Sequence, residues 1–136
     1  MNVVERMKPL DAIALRKLTP TDGFTQLAQL QLDHPQAVGM EPHEWVGAWD
    51  SDRLVAAVGW IDDKPGMRMV VEVQRTDDHW GKVGVIVLIR AIIAYCQRSN
   101  IRLQAMILPS NAKLKEALAR EGAFCAVEIW EAPLCQ

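Results

Sequence analysis

Met67-Arg68-Met69-Val70-Val71-Glu72-Val73, then the polar run Gln74 to Asp78, then His79-Trp80-Gly81-Lys82-Val83-Gly84 and the apolar stretch to Cys96, decide the fold of this 136-residue sequence. Met67 to Val73 is nearly continuous in apolar residues and of strand length. That pattern predicts a strand central in a sheet, covered on both faces. From Gly84 to Cys96 the period changes. Val85, Leu88, Ile89, Ile92, Ile93 and Cys96 recur at i, i+3, i+4, i+7, i+8 and i+11. This is one face of an α-helix, and Ile86, Val87 and Ala91 widen it, so burial on more than one side is expected. His79 to Gly84 reads as the turn between the two.

Working outward, Ile101 to Leu108 reads as a strand. Pro109-Ser110-Asn111 opens a shorter helix to about Glu121, with Leu114, Ala117 and Leu118 inward and Gly122 as its C-terminal cap. Ala126 to Glu131 reads as a last strand. On the other side, Arg53 to Ile61 is a strand ended by the turn Asp62-Asp63-Lys64-Pro65-Gly66, and Asp50-Ser51-Asp52 is a turn before it. Glu44 to Trp49 is a short helix or an irregular strand. Gln36 to Glu44 reads as loop. Ala12 to Leu18 is a first strand. A helix is expected after it, with Thr19 or Thr21 as cap, Pro20 in the first turn and Asp22 at the positive end of the helix dipole. Phe24, Leu27, Leu30 and Gln31 carry its spacing, and His34-Pro35 ends it. Alternating elements of this kind make a mixed α/β sheet with helices on its faces.

Composition agrees with one domain. Hydrophobic residues make up 50% and charged residues 24%, with a formal net charge of −2. Mixed charge and ample apolar content argue against disorder, and no basic footprint points to nucleic acid. The apolar run Val83–Ile89, bracketed by Lys82 and Arg90, is too short to cross a bilayer. Residues 1–10 have no apolar signal core. A cytoplasmic protein without a membrane partner is the expectation. Cys96, Cys125 and Cys135 lack CxxC spacing and read as buried or idle thiols. His34 and His43 lack metal-ligand spacing.

The strand, polar run, glycine turn and long helix of residues 67–96 resemble the core of the GNAT acetyltransferases. In that family the turn reads (Gln/Arg)-x-x-Gly-x-(Gly/Ala), and its amides with the helix N-terminus hold the pyrophosphate of coenzyme A. Unpaired N–H groups and the positive helix end favour an anion there. Asn111 through Phe124 resembles the family's Asn, short helix and Gly-Phe. Ala14 to Asp22 resembles its opening strand and helix. A narrower likeness, on Gly81-Lys82, Asn111 and Gly122-Ala123, is to small acetyltransferase-like proteins of tailed phages, some of which are virion components.

The resemblance implies one domain over residues 1–136, with 1–11 as an N-terminal extension. It implies a mixed, mostly antiparallel central sheet with helices on both faces. Acetyl-coenzyme A would be co-substrate, lying between the Val70–Val73 and Ile101–Leu108 strands. The backbone of Val71 and Val73 would pair with its pantetheine arm. His79, Trp80, Gly81, Lys82, Val83 and Gly84 would hold the pyrophosphate, and Asn111 would place the thioester. Glu72 would be general base to an amine acceptor that attacks directly.

Three departures favour a second reading. Neither register of the turn satisfies the family pattern: with Gly84 last, His79 and Lys82 fill the first and central places; with Gly81 central, Asp78 and Val83 flank it. Asp77 and Asp78 stand where they would repel a pyrophosphate, at about 4 kcal/mol for one contact at about 4 Å and an effective dielectric near 20. Exposure and salt reduce this, and Arg75, His79 and Lys82 oppose it. Leu118 stands seven positions after Asn111, where the family often has a tyrosine as general acid. The second reading is therefore a catalytically inactive binding or structural protein on the same fold. It would act through a protein partner or self-association, or in a virion if the phage likeness holds. Trp45, Trp49 and Trp60 are candidates for an acceptor pocket or partner surface, with core packing as the alternative. Trp80, expected in a polar turn, is a candidate ligand or protein contact.

Overall fold

A computed structural model describes residues 13–35, 40–105, 112–122 and 132–133. The elements are β1 (Ile13–Lys17), α1 (Phe24–Asp33), β2 (Glu44–Asp50), β3 (Arg53–Lys64), β4 (Met67–Arg75), α2 (His79–Arg98), β5 (Arg102–Ala105) and α3 (Ala112–Arg120). One sheet runs in the order β1-β2-β3-β4-β5. β1 to β4 are antiparallel neighbours. β5 returns parallel to β4 after the α2 crossover. The expected mixed, mostly antiparallel sheet is present. Asn111, Cys125, Cys135, the expected last strand and the proposed extension 1–11 lie outside the described residues.

Each face of the sheet has its own core. On one, α2 lays Leu88, Ile92 and Cys96 against Ala48, Val55, Ala56, Val58 and Trp60. On the other, α1 lays Leu27 and Leu30 against Leu18, Trp45, Trp49, Leu54 and Ala57. Two-sided cover explains why β3 and β4 read as apolar runs rather than alternating patterns. Burying a side chain such as Leu88 fully contributes about 1.5–3 kcal/mol. Among the described residues α2 is long and apolar enough to cross a membrane. Here Gly84, Leu88, Ile92 and Cys96 are instead buried on the sheet.

Several expectations are corrected. α2 starts at His79, so residues 79–84 are its first turns and not a preceding turn. The connecting loop is Thr76-Asp77-Asp78. α1 starts at Phe24 behind Gly23, which has φ 107° and no capping side chain. The reason is a tight turn in which Thr19 and Asp22 exchange backbone hydrogen bonds of 3.0 Å each. Asp22 turns away from the helix to Arg16, whose Nε and Nη2 donate to it at 3.0 and 3.3 Å. Of the two readings of Glu44 to Trp49, the irregular strand is the one present: Glu44–Asp50 is a strand with an irregularity at Ala48/Trp49. The β3–β4 turn is only Pro65-Gly66, because β3 continues to Lys64.

Candidate functional site

β4 carries Glu72 on the α1 face of the sheet. Its side chain is buried, at 7% exposure. Two amides approach the same oxygen: Gln31 Nε2 of α1 donates to Oε2 at 3.0 Å, and Gln74 Nε2 at 3.1 Å. Among the described residues Oε1 has no partner. Gln74 also donates to the His34 carbonyl at 2.9 Å. Its own Oε1 is buried without a partner among the described residues. His34 Nε2 lies 3.2 Å from Asp77 Oδ1. Glu72 is thus no solvent-facing strand residue. It is the centre of a polar cluster between α1 and β4. Gln31 lies on the expected spacing of α1, but its role and that of Gln74 depend on where α1 docks.

The β4–β5 ladder runs from Met67↔Arg102 to Val70↔Ala105. Beyond that pair β4 continues through Val71–Arg75 with β3 on its other side. Val71 is buried and Val73 half-buried against the α2-side core.

At the far end of β4 the loop Thr76–Asp78 enters α2. Asp78 is the N-cap, and its Oδ1 accepts the Gly81 N–H at 3.1 Å. The Thr76 hydroxyl donates to Oδ1 at 2.6 Å, and Arg53 Nη2 from the start of β3 donates to Oδ2 at 2.8 Å. The Thr76 hydroxyl, ahead of Arg53 and the Gly81 amide, holds the Asp78 carboxyl below the ordinary carboxylate value. Thr76 N–H donates to the Val55 carbonyl at 2.9 Å, pinning the loop to β3.

The two glycines of this segment serve packing. A Cβ on Gly81 would stand 2.0 Å from the Thr76 carbonyl oxygen. A Cβ on Gly84 would stand 3.0 Å from both Ala56 Cβ and Val55 Cγ2 and 3.3 Å from Ala48 Cβ. Gly81 lets the loop cross the helix, and Gly84 lets the helix lie close on β2 and β3. His79 and Lys82 are exposed, and Val83 is half-buried. Trp80 is half-buried against the α2-side core, edge-on to the His79 ring at 5.3 Å between centroids. Trp45, Trp49 and Trp60 are buried core residues.

A diphosphate does not fit this helix end as it stands. Of the backbone groups expected to receive its oxygens, the Gly81 amide is taken by the Asp78 carboxylate, a negative charge that Thr76 and Arg53 also hold at the start of the helix. The sequence contained the signal. An Asp directly before a helix is a strong N-cap. A separate cavity of about 290 Å³, lined by Arg16, Asp22, Gln26, Trp49 and Asp52 among others, lies at the β1 end of the sheet, away from Glu72.

No protein-family model and no curated protein matches the sequence. Solved structures do. A protein of the GNAT acetyltransferase family from Novosphingobium aromaticivorans superposes with a TM-score of 0.64 at 21% identity, over 79% of this chain and 50% of that one. This chain thus spans half the length of that protein. An aminoglycoside acetyltransferase from an uncultured soil metagenomic sample, solved with sisomicin, gives 0.62 at 12% identity, over 92% and 98%. An N-acetyltransferase from Staphylococcus aureus gives 0.63 at 16% identity, over 81% and 80%. With its antiparallel β1–β4 meander, α2 crossover and parallel β5, this chain has the GNAT acetyltransferase fold.

Proposed function

We propose that this chain acts by binding rather than by acetyl transfer, as a GNAT-fold protein that engages a protein partner or a copy of itself. One observation carries the reading. The α2 N-terminus is closed by the chain's own Asp78, which takes the Gly81 amide, the Thr76 hydroxyl and the Arg53 guanidinium. A fold does not bring its usual function with it. Leu118, which has no proton to donate, stands at the place of the family's frequent tyrosine. The location expected is cytoplasmic, or a virion for a phage protein. The test is calorimetric titration of acetyl-coenzyme A into the full chain, with dephospho-coenzyme A and ATP alongside. No heat of binding at millimolar ligand supports the reading. Binding in the micromolar range, about −8 kcal/mol, overturns it.

One observation favours a second reading, acetyl transfer from acetyl-coenzyme A to an amine acceptor. Glu72 is buried, its Oε2 is fixed by two amides, and Oε1 remains to take a proton from an ammonium group. Under that reading Glu72→Gln abolishes any product formed with an amine acceptor while leaving the fold intact.

A further inference from the structure

α1 buries one side and leaves the other bare. Leu27 and Leu30 face the sheet and are buried. Phe24, Ala28 and Leu32 recur at i, i+4 and i+8 on the outer side, and all three are exposed, Leu32 at 75%. Residues so spaced form one row on a helix, the ridge that fits the groove of another helix. The solvent side of a surface helix is ordinarily charged or polar. Here Asp33 is the only charged residue of α1. The ends of the helix are also mismatched with their own charges. Its N-terminus has no capping side chain and no acidic residue in the first turn, so the positive end of the dipole is uncompensated. Its C-terminus has no basic residue in the last turn and carries Asp33 instead. Asp77 adds to that acidic end, 3.2 Å from His34 Nε2.

We infer that α1 is the contact between two copies of this chain, packed antiparallel about a two-fold axis at Ala28. Such an axis sets Leu32 of one copy against Phe24 of the other. The small Ala28 side chains meet at the centre and let the two helices approach closely. The same axis sets Asp33 against the uncapped start of α1 in the other copy. Each acidic end thereby meets a positive helix end, and the symmetry makes the match twice. With no other charge on α1, no like charges are brought together along the row. A ten-residue helix is about 15 Å long. It covers less than the roughly 800 Å² per partner of a standard interface. The dimer is therefore transient, dissociating in the micromolar-to-millimolar range. The inference rests on the binding reading above, for which it names the partner and the surface.

The experiment is sedimentation velocity on the full chain over a concentration series. The parent is expected to pass from monomer to dimer as concentration rises. Leu32→Glu puts a carboxylate on the apolar row of each copy and should weaken the dimer at least about tenfold. At 75% exposure the Leu32 side chain supports little of the fold. Where Leu32→Glu fails to show the parent's circular dichroism, Leu32→Ser replaces it. Ala28→Cys locates the axis. Its two thiols meet across the two-fold and are oxidised to an interchain disulfide as added oxidised glutathione is reduced. Ile86→Cys, at an exposed position on α2, is the control and should link no faster than the parent, whose own thiols set the background. A parent that stays monomeric through the series overturns the inference and leaves the row to a different protein. So does a dimer that the folded Leu32 variant leaves intact, or an Ala28→Cys that links no faster than Ile86→Cys. The acetyl-coenzyme A titration is read separately and decides the binding reading whatever the oligomeric state.

Discussion

Gly81→Ala separates a glycine kept for internal packing from one kept for a ligand. The new methyl group would sit 2.0 Å from the Thr76 carbonyl oxygen and 2.7 Å from its hydroxyl oxygen. Ordinary carbon–oxygen contacts are about 3.3 Å or longer, so the loop must move by roughly 1 Å. That movement pulls Thr76 from Val55 and swings Asp78 off the Gly81 amide. A lost N-cap costs about 1 kcal/mol. Forced backbone shifts cost about 1–3 kcal/mol. Alanine returns up to about 1 kcal/mol of helix propensity over glycine. The net expectation is a loss of about 1–3 kcal/mol, or a fall in Tm of about 4 °C per kcal/mol. Gly84→Ala is the internal comparison. Its nearest contacts, at 3.0 and 3.3 Å, need shifts of only tenths of an ångström, and the propensity gain offsets much of them. It should stay within about 1 kcal/mol of the parent. Urea and thermal unfolding, read by tryptophan fluorescence, give both values. Gly81→Ala as stable as the parent would refute the packing argument.

Further outcomes follow from the same contacts. Leu88→Ala, at a fully buried position on α2, should cost about 2–5 kcal/mol in urea unfolding. Glu72→Ala strips the acceptor from Gln31 and Gln74 and should cost about 1–3 kcal/mol, read as a lower urea midpoint. Asp78 has its folded value lowered from 3.8. Its contribution is therefore full above that ordinary value and is lost as pH falls through the lower folded one. Asp78→Asn should flatten this acid-side loss in urea midpoints measured from pH 5 to pH 2.

Much of the fold was legible in residues 53–105. Two-sided burial makes β3 and β4 apolar runs, and the 3.6 period of Val85–Cys96 is too regular for any other element. What was not legible depended on groups distant in sequence. Gly81 and Gly84 read locally as a turn, although α2 already starts at His79. Both are glycines because something packs against them: Thr76 on one, β2 and β3 on the other. Thr19-Pro20-Thr21-Asp22 had every local mark of a helix start, yet Asp22 is drawn to Arg16 on β1, and the helix waits for Gly23. Glu72 was singled out from its strand alone. The amides that fix it come from α1 and from two residues further along β4, and only docking brings Gln31 to it.

The sheet order has a consequence for how the chain acquires its structure. Every described strand pairs with its neighbour in sequence, so β2 to β4 can zip by short-range steps through the two-residue turns Ser51-Asp52 and Pro65-Gly66. Local pairing of this kind folds fast. Among these strands β1 must wait for the connection through α1, and β5 must wait because the 20-residue α2 separates it from β4. Until that helix has docked, Val70 and its neighbours on β4 form an open apolar edge. Such edges recruit strands from other chains. The interval between β4 formation and β5 arrival is when a nascent chain is most prone to pair with another copy, and mutations that slow α2 docking should lower soluble yield before they lower the stability of what does fold.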